Sequence, residues 1–186
     1  MQWNIPNILT LLRIVLIPIF VVAFYWPDSG WNPVITTGIF FLAGISDWLD
    51  GYLARKLDQQ SAFGAFLDPV ADKLMVATAL ILLVGADPGA FTAVPAAVII
   101  GREIAVSALR EWMAQVGDKT KVKVSYIGKV KTTAQMLSIG FLLYRAPLGL
   151  FPTTEIGYGL LYLAAALTLW SMVIYLRAAW SSLTRH

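Results

Sequence analysis

The sequence predicts an all-α integral membrane protein with six transmembrane helices and both termini cytoplasmic. Three observations carry that prediction. Hydrophobic residues make up 58% of the 186-residue chain and charged residues only 13%, a balance suited to helices in lipid rather than to a soluble core. Six apolar runs are each long enough to cross a hydrocarbon layer of ~30 Å. Lysine and arginine gather in every second connection, as the positive-inside bias requires. The length fits one domain over residues 1–186 and leaves no room for a soluble second one.

The first span covers 8–26 and carries one charge, Arg13. It lacks a basic leader and an A-x-A cleavage pattern, so it reads as a retained helix and not as a signal peptide. Pro27-Asp28-Ser29-Gly30 breaks the chain before the second span, 34–55. The third, 66–86, ends at Asp87-Pro88-Gly89, and the fourth runs over 91–114. The fifth, 130–147, closes on Ala146-Pro147-Leu148-Gly149, and the sixth spans 156–178. Connections after spans 1 and 3 have no Lys or Arg, and Arg145 only borders the one after span 5. Arg55 and Lys56 follow span 2. Lys119, Lys121, Lys123, Lys129 and Lys131 follow span 4, and the tail has Arg177 and Arg185. The lysine-rich stretch over 117–129 fits a solvated loop beside anionic lipid, with a second role as a funnel for anionic substrates.

Against this background one stretch stands out. Residues 46–73, SDWLDGYLARKLDQQSAFGAFLDPVADK, hold five of the chain's 11 acidic residues. Asp47 and Asp50 are spaced i, i+3 near the end of span 2, on one helix face. Asp68 and Asp72 are spaced i, i+4 at the start of span 3, again on one face. Pro69 leaves two local backbones open: a proline in the first turn behind an Asp68 cap, or a helix begun earlier and bent there. In a hairpin the two pairs converge. Four unneutralised carboxylates would repel one another beside a low-dielectric layer. Hard divalent cations, Mg²⁺, Mn²⁺ or Ca²⁺, suit an all-oxygen donor set, and a two-metal arrangement suits phosphoryl chemistry. Asp58 lies in the polar turn and reads as solvated.

Composition narrows the chemistry further. The chain has no cysteine, which excludes disulfides and thiol catalysis. Its one histidine is the last residue, His186, which argues against a serine-histidine triad or a histidine-ligated zinc. Carboxylates, arginines, lysines and hydroxyls remain.

The pattern Asp47-x-x-Asp50-Gly51-x-x-Ala54-Arg55, eight residues, Gly64-x-x-x-Asp68-x-x-x-Asp72 resembles the signature of the CDP-alcohol phosphotransferases at every position. The resemblance implies six spans, a homodimer, and Mg²⁺ or Mn²⁺, with two ions expected. It implies transfer from a CDP-linked donor to an alcohol with release of CMP. Asn4 to Arg13, Gly101-Arg102-Glu103-Ile104, Ala108 to Trp112 and Ile127 to Gln135 look like the members that take CDP-diacylglycerol as donor and glycerol 3-phosphate as acceptor. Those members are bacterial and sit in the cytoplasmic (inner) membrane, with the site on the cytoplasmic face.

The same resemblance implies roles. Asp47, Asp50, Asp68 and Asp72 would hold metal, and Asp72 would also take the proton of the attacking hydroxyl. Gly51, Ala54, Arg55 and Gly64 would shape the nucleotide pocket, joined by Thr10 and Arg13 one helical turn apart on span 1. The acceptor's own phosphate calls for cations, for which Arg110 and Lys131 are the leading candidates, with Lys129 and Arg102 beside them. Two plainer readings compete. Arg13 could snorkel to lipid headgroups, and the later cations could pair with Glu103 and Glu111. Other functions compete as well. The acceptor could be inositol phosphate or serine. A divalent-cation transporter would need acids across the whole bilayer, and here they cluster at one end. A prenyltransferase would leave the glycine-alanine-arginine framework unused.

Overall fold

A computed structural model describes residues 5–27, 30, 32–56, 62–115, 126–147 and 149–183, with the side chains of 5, 6, 50, 51, 53–55, 62, 63, 65, 114, 126, 127 and 178–183 left out of the description. The described chain is six helices: α1 (Ile5–Tyr25), α2 (Asn32–Lys56), α3 (Ala62–Ala86), α4 (Ala90–Gln115), α5 (Tyr126–Tyr144) and α6 (Thr153–Leu183). Each expected span lies on one helix, with ends shifted by a few residues. α6 is the longest because Ala179-Trp180-Ser181-Ser182-Leu183 continue the helix beyond the expected span.

Four helices hold stretches long and apolar enough to cross a membrane: Asn7–Tyr25, Phe66–Ala86, Ala90–Met113 and Thr153–Arg177. α2 and α5 are not among them, and polar residues at one end of each contribute to that. α2 ends on Asp47, Asp50, Arg55 and Lys56, while α5 opens on Lys129, Lys131, Thr132, Thr133 and Gln135. Asp47, Asp50, Arg55, Lys129 and Lys131 among them are expected site residues. Many large apolar side chains are exposed, Phe66, Ile81, Phe91, Val94 and Trp170 among them. Exposed apolar surface on this scale suits lipid, not water. Trp48 stacks on Tyr52 with centroids 5.9 Å apart, and Lys56 lies 5.6 Å over the Tyr52 ring. That is the aromatic-basic pairing of a membrane-water boundary.

Inside, Phe20, Phe40, Leu80, Ile99, Ile139, Leu143 and Leu161 are fully buried, and the Phe20 and Phe40 rings pack 6.4 Å apart. The tightest pairing is α5 with α6, then α1 with α2. Small residues allow it. A Cβ on Gly140 would collide with the Phe41 ring across α2–α5, and one on Gly157 would collide with Leu142 across α5–α6.

The breaks behave as their residues require. Asp87 N–H donates to the Leu83 carbonyl at 3.0 Å and Gly89 N–H to the Asp87 carbonyl at 2.9 Å, closing the turn between α3 and α4. Gly149 adopts a φ of 63°, a left-handed turn suited to glycine. Pro69 lies inside α3, seven residues after its start. The earlier-begun helix is therefore the outcome, which places Asp68 and Asp72 in consecutive turns of one continuous helix.

Candidate active site

α1 organises the acidic face. Thr10 and Arg13 are one turn apart and fully buried. The Thr10 hydroxyl donates to Asp68 Oδ1 on α3. Arg13 Nη1 donates to Asp47 Oδ1 on α2 at 2.7 Å. One turn of α1 thus clamps both acidic helices together. The Arg13 side chain is 1% exposed, so it is a buried counter-charge to Asp47 and does not snorkel to headgroups. Removing its carboxylate partner would leave a buried, uncompensated positive charge, which is strongly destabilising.

The clamp leaves coordination capacity. Among the described residues, Asp47 and Asp68 accept only at Oδ1. Asp72 is exposed and accepts no hydrogen bond from any described residue, yet it lies within electrostatic reach of Asp47, Arg13, Glu103 and Lys73. No three described acidic side chains stand together as a finished cage. The Asp50 side chain lies outside the description, as do those of Ala54 and Arg55. These positions and Gly51 occupy the last turns of α2. The donor set still fits a hard divalent cation: carboxylates from two neighbouring helices, with free oxygens and no nitrogen or sulfur competitor. Gly64 is buried two residues into α3.

Asp72 also borders a cavity of about 640 Å³, lined by residues of α3, α4, α5 and α6. That volume is within the range of small-molecule sites. Its charged lining is Lys73, Arg102, Arg110 and Lys131 against Asp72, Glu103 and Glu111, a net positive wall suited to an anion. Lys131 is 5% exposed and donates to Glu103 Oε1 at 2.6 Å. Arg102 donates to the same oxygen at 2.8 Å and to Ser171 Oγ at 3.0 Å. Arg110 donates to the Tyr175 hydroxyl at 2.5 Å, with its guanidinium 4.9 Å from that ring's centre. Lys73 donates to Ser107 Oγ, which donates onward to the Glu103 carbonyl at 2.6 Å.

Three of the four expected phosphate-binding cations therefore meet in one cavity, but Lys129 is exposed and outside its lining. The plainer pairing is half correct. Glu103 does pair with Arg102 and Lys131, while Arg110 turns to Tyr175 instead of Glu111. Sequence reasoning gave no functional role to Glu103, Tyr175 or Lys73. Glu103 had a signal, its place beside Arg102. Tyr175 had none, since it sits in an apolar run 65 residues from Arg110.

Asp47, Asp68 and Asp72 thus come from two neighbouring helices, and Asp72 joins them to a cavity whose charged lining is net positive. The chain matches the family model described as CDP-alcohol phosphatidyltransferase over residues 3–170. It is 55% identical over 183 residues to the CDP-diacylglycerol–glycerol-3-phosphate 3-phosphatidyltransferase of Haemophilus influenzae, covering 98% of this chain and 97% of that one. It is 52% identical over 179 residues to the protein of the same name from Salmonella paratyphi A and 51% identical to that from Shigella flexneri serotype 5b, each covering 96% of both chains. With its aspartate signature intact and both the family match and these relatives spanning nearly its whole length, the chain belongs to the CDP-alcohol phosphatidyltransferase family.

Proposed function

We propose that this chain transfers the phosphatidyl group of CDP-diacylglycerol to the sn-1 hydroxyl of glycerol 3-phosphate, releasing CMP. The observation that carries the reading is the shared cavity: Asp72 and three buried or stacked cations face one space. A proton acceptor and an anion site in the same cavity suit an acceptor bearing both a hydroxyl and a phosphate. The names of the near-full-length relatives support the same reaction.

In this reading Arg110 and Lys131 take the acceptor phosphate. Arg102 and Glu103 hold the Lys131 ammonium in place. The sn-1 oxygen is left directed at the acidic face, and Asp72 accepts its proton as it attacks the phosphorus carrying diacylglycerol. The new P–O bond forms as the P–O bond to CMP breaks. Asp47, Asp50, Asp68 and Asp72 would hold Mg²⁺ or Mn²⁺, which when bound neutralises the pyrophosphate and stabilises the departing CMP. Gly51, Ala54, Arg55 and Gly64 leave room for the nucleotide, and Thr10 and Arg13 set the spacing of the carboxylates around it.

The wider setting belongs to the same proposal. All six helices cross a bacterial cytoplasmic membrane, the termini and the site face the cytoplasm, and the protein is a homodimer. The site lies at the basic end of the bundle, where a soluble acceptor and a lipid donor both reach it.

The test is CMP release by purified protein in detergent with CDP-diacylglycerol and Mg²⁺. Glycerol 3-phosphate, inositol phosphate and serine are offered in parallel. Release with glycerol 3-phosphate alone is expected. Release with another acceptor would overturn the pocket assignment, and no release from folded protein would overturn the reaction. Within that assay, Arg110→Ala is expected to raise the KM for glycerol 3-phosphate about 10- to 100-fold, the worth of one charge-assisted phosphate contact. Its kcat should change much less, because the contact serves ground state and transition state alike. An unchanged KM would remove Arg110 from the phosphate site.

A further inference from the structure

We infer that Gln135 recognises the secondary hydroxyl of the acceptor and thereby selects a glycerol phosphate over a simpler hydroxyalkyl phosphate. The inference rests on the acceptor reading above. Gln135 lines the same cavity as Asp72 and Lys131 and is 5% exposed. Its Oε1 is buried with no hydrogen-bond partner among the described residues. A buried amide oxygen without a donor is unfavourable, and native structures rarely retain one without a use. A ligand hydroxyl entering the cavity would satisfy it.

Position supports the assignment. Gln135 is four residues after Lys131 on α5, so the two share a helix face with a rise of about 6 Å between them. In glycerol 3-phosphate the C2 hydroxyl is the next polar group after the phosphate, and the attacking C1 hydroxyl follows. With the phosphate on Lys131 and Arg110, the C2 hydroxyl falls one turn further along α5, at the amide. A secondary alcohol both donates and accepts, so it pairs with Gln135 whichever way the amide is turned. The polar neighbours on α5 are committed elsewhere: the Thr132 hydroxyl donates to the Gly128 carbonyl at 3.0 Å and the Ser138 hydroxyl to the Gly157 carbonyl at 2.7 Å. Gln135 therefore binds substrate but takes no part in proton transfer.

The decisive probe is 3-hydroxypropyl phosphate, which keeps the primary hydroxyl and the phosphate but lacks the C2 hydroxyl. Sites built around a substrate hydroxyl reject analogues lacking it strongly. Wild type should prefer glycerol 3-phosphate in kcat/KM by about 100-fold or more. Gln135→Met, similar in volume and without the amide, should lose about 10- to 100-fold with glycerol 3-phosphate. It should stay within about threefold of wild type with the analogue, so the preference collapses. An equal loss on both acceptors would mean a merely structural role and would overturn the inference, as would an intact preference in the variant. If Gln135→Met does not fold, wild type alone still decides against it when both acceptors are used equally. Wild-type turnover with inositol phosphate or serine but not glycerol 3-phosphate would instead overturn the acceptor reading, and this inference with it.

Discussion

Asp72→Asn is expected to lower kcat for CMP release by about 10²- to 10⁴-fold, the range typical of a lost general base. The substitution preserves shape and removes proton acceptance. Asp72 is suited to the role by position. It is exposed to the cavity and within reach of the Asp47–Arg13 pair on one side and of Glu103 and Lys73 on the other. Among the described residues it is the one expected metal-site aspartate that also lines the acceptor cavity. Because it accepts no hydrogen bond from a described residue, the variant should keep its stability within about 0.5 kcal/mol, as exposed substitutions generally do. The thermal midpoint should then hold while turnover falls, which separates lost chemistry from lost fold. The KM for glycerol 3-phosphate should move little, since Arg110 and Lys131 carry that contact. A variant with normal turnover would strip Asp72 of the base role.

The contrast between Asp72 and its fellow aspartates also shows what the sequence could and could not convey. Helix order and breaks were legible because they depend on local chemistry: apolar length, and turns such as Asp87-Pro88-Gly89. The i, i+3 and i, i+4 spacings placed Asp47 with Asp50 and Asp68 with Asp72 for the same reason. What each pair faces depends on distant residues. Thr10 reaches Asp68 across 58 positions and Arg13 reaches Asp47 across 34. The one-turn spacing on α1 showed that Thr10 and Arg13 act together but not that they clamp the aspartates. Lys131 leads Lys129 as a phosphate ligand in the sequence reading, and helical periodicity supplies the physical reason: it turns Lys131 into the cavity onto Glu103 and Lys129 outward. Pro69 was ambiguous because proline is compatible with both a first turn and a helix interior whose neighbours compensate it. The Arg110–Tyr175 contact was invisible, since nothing local distinguishes that tyrosine from the aromatic residues on the lipid-facing surface.

The second large effect concerns the metal. Chelation with excess EDTA is expected to abolish CMP release, by about 10³-fold or more, because charge stabilisation by a bound divalent ion is worth several kcal/mol. Added Mg²⁺ or Mn²⁺ should restore it. The argument comes from charge balance at the acidic face. Among the described residues, Arg13 forms an ion pair with Asp47 and Thr10 offers Asp68 a neutral hydroxyl. The remaining negative charge must be matched before a pyrophosphate can approach, and the Oδ2 atoms of Asp47 and Asp68 accept from no described residue. Binding should also be visible without turnover. A cation that binds only the folded protein raises its thermal midpoint with concentration. That rise should be lost in Asp68→Asn, which retains a side-chain oxygen for the Thr10 hydroxyl but has no carboxylate. Asp47→Asn is the weaker control, since it also strands the buried Arg13 guanidinium and destabilises the fold on its own account. Undiminished release in excess chelator, or a midpoint that rises equally in Asp68→Asn, would mean that Arg13 and the surrounding dipoles suffice and that the aspartates serve another purpose.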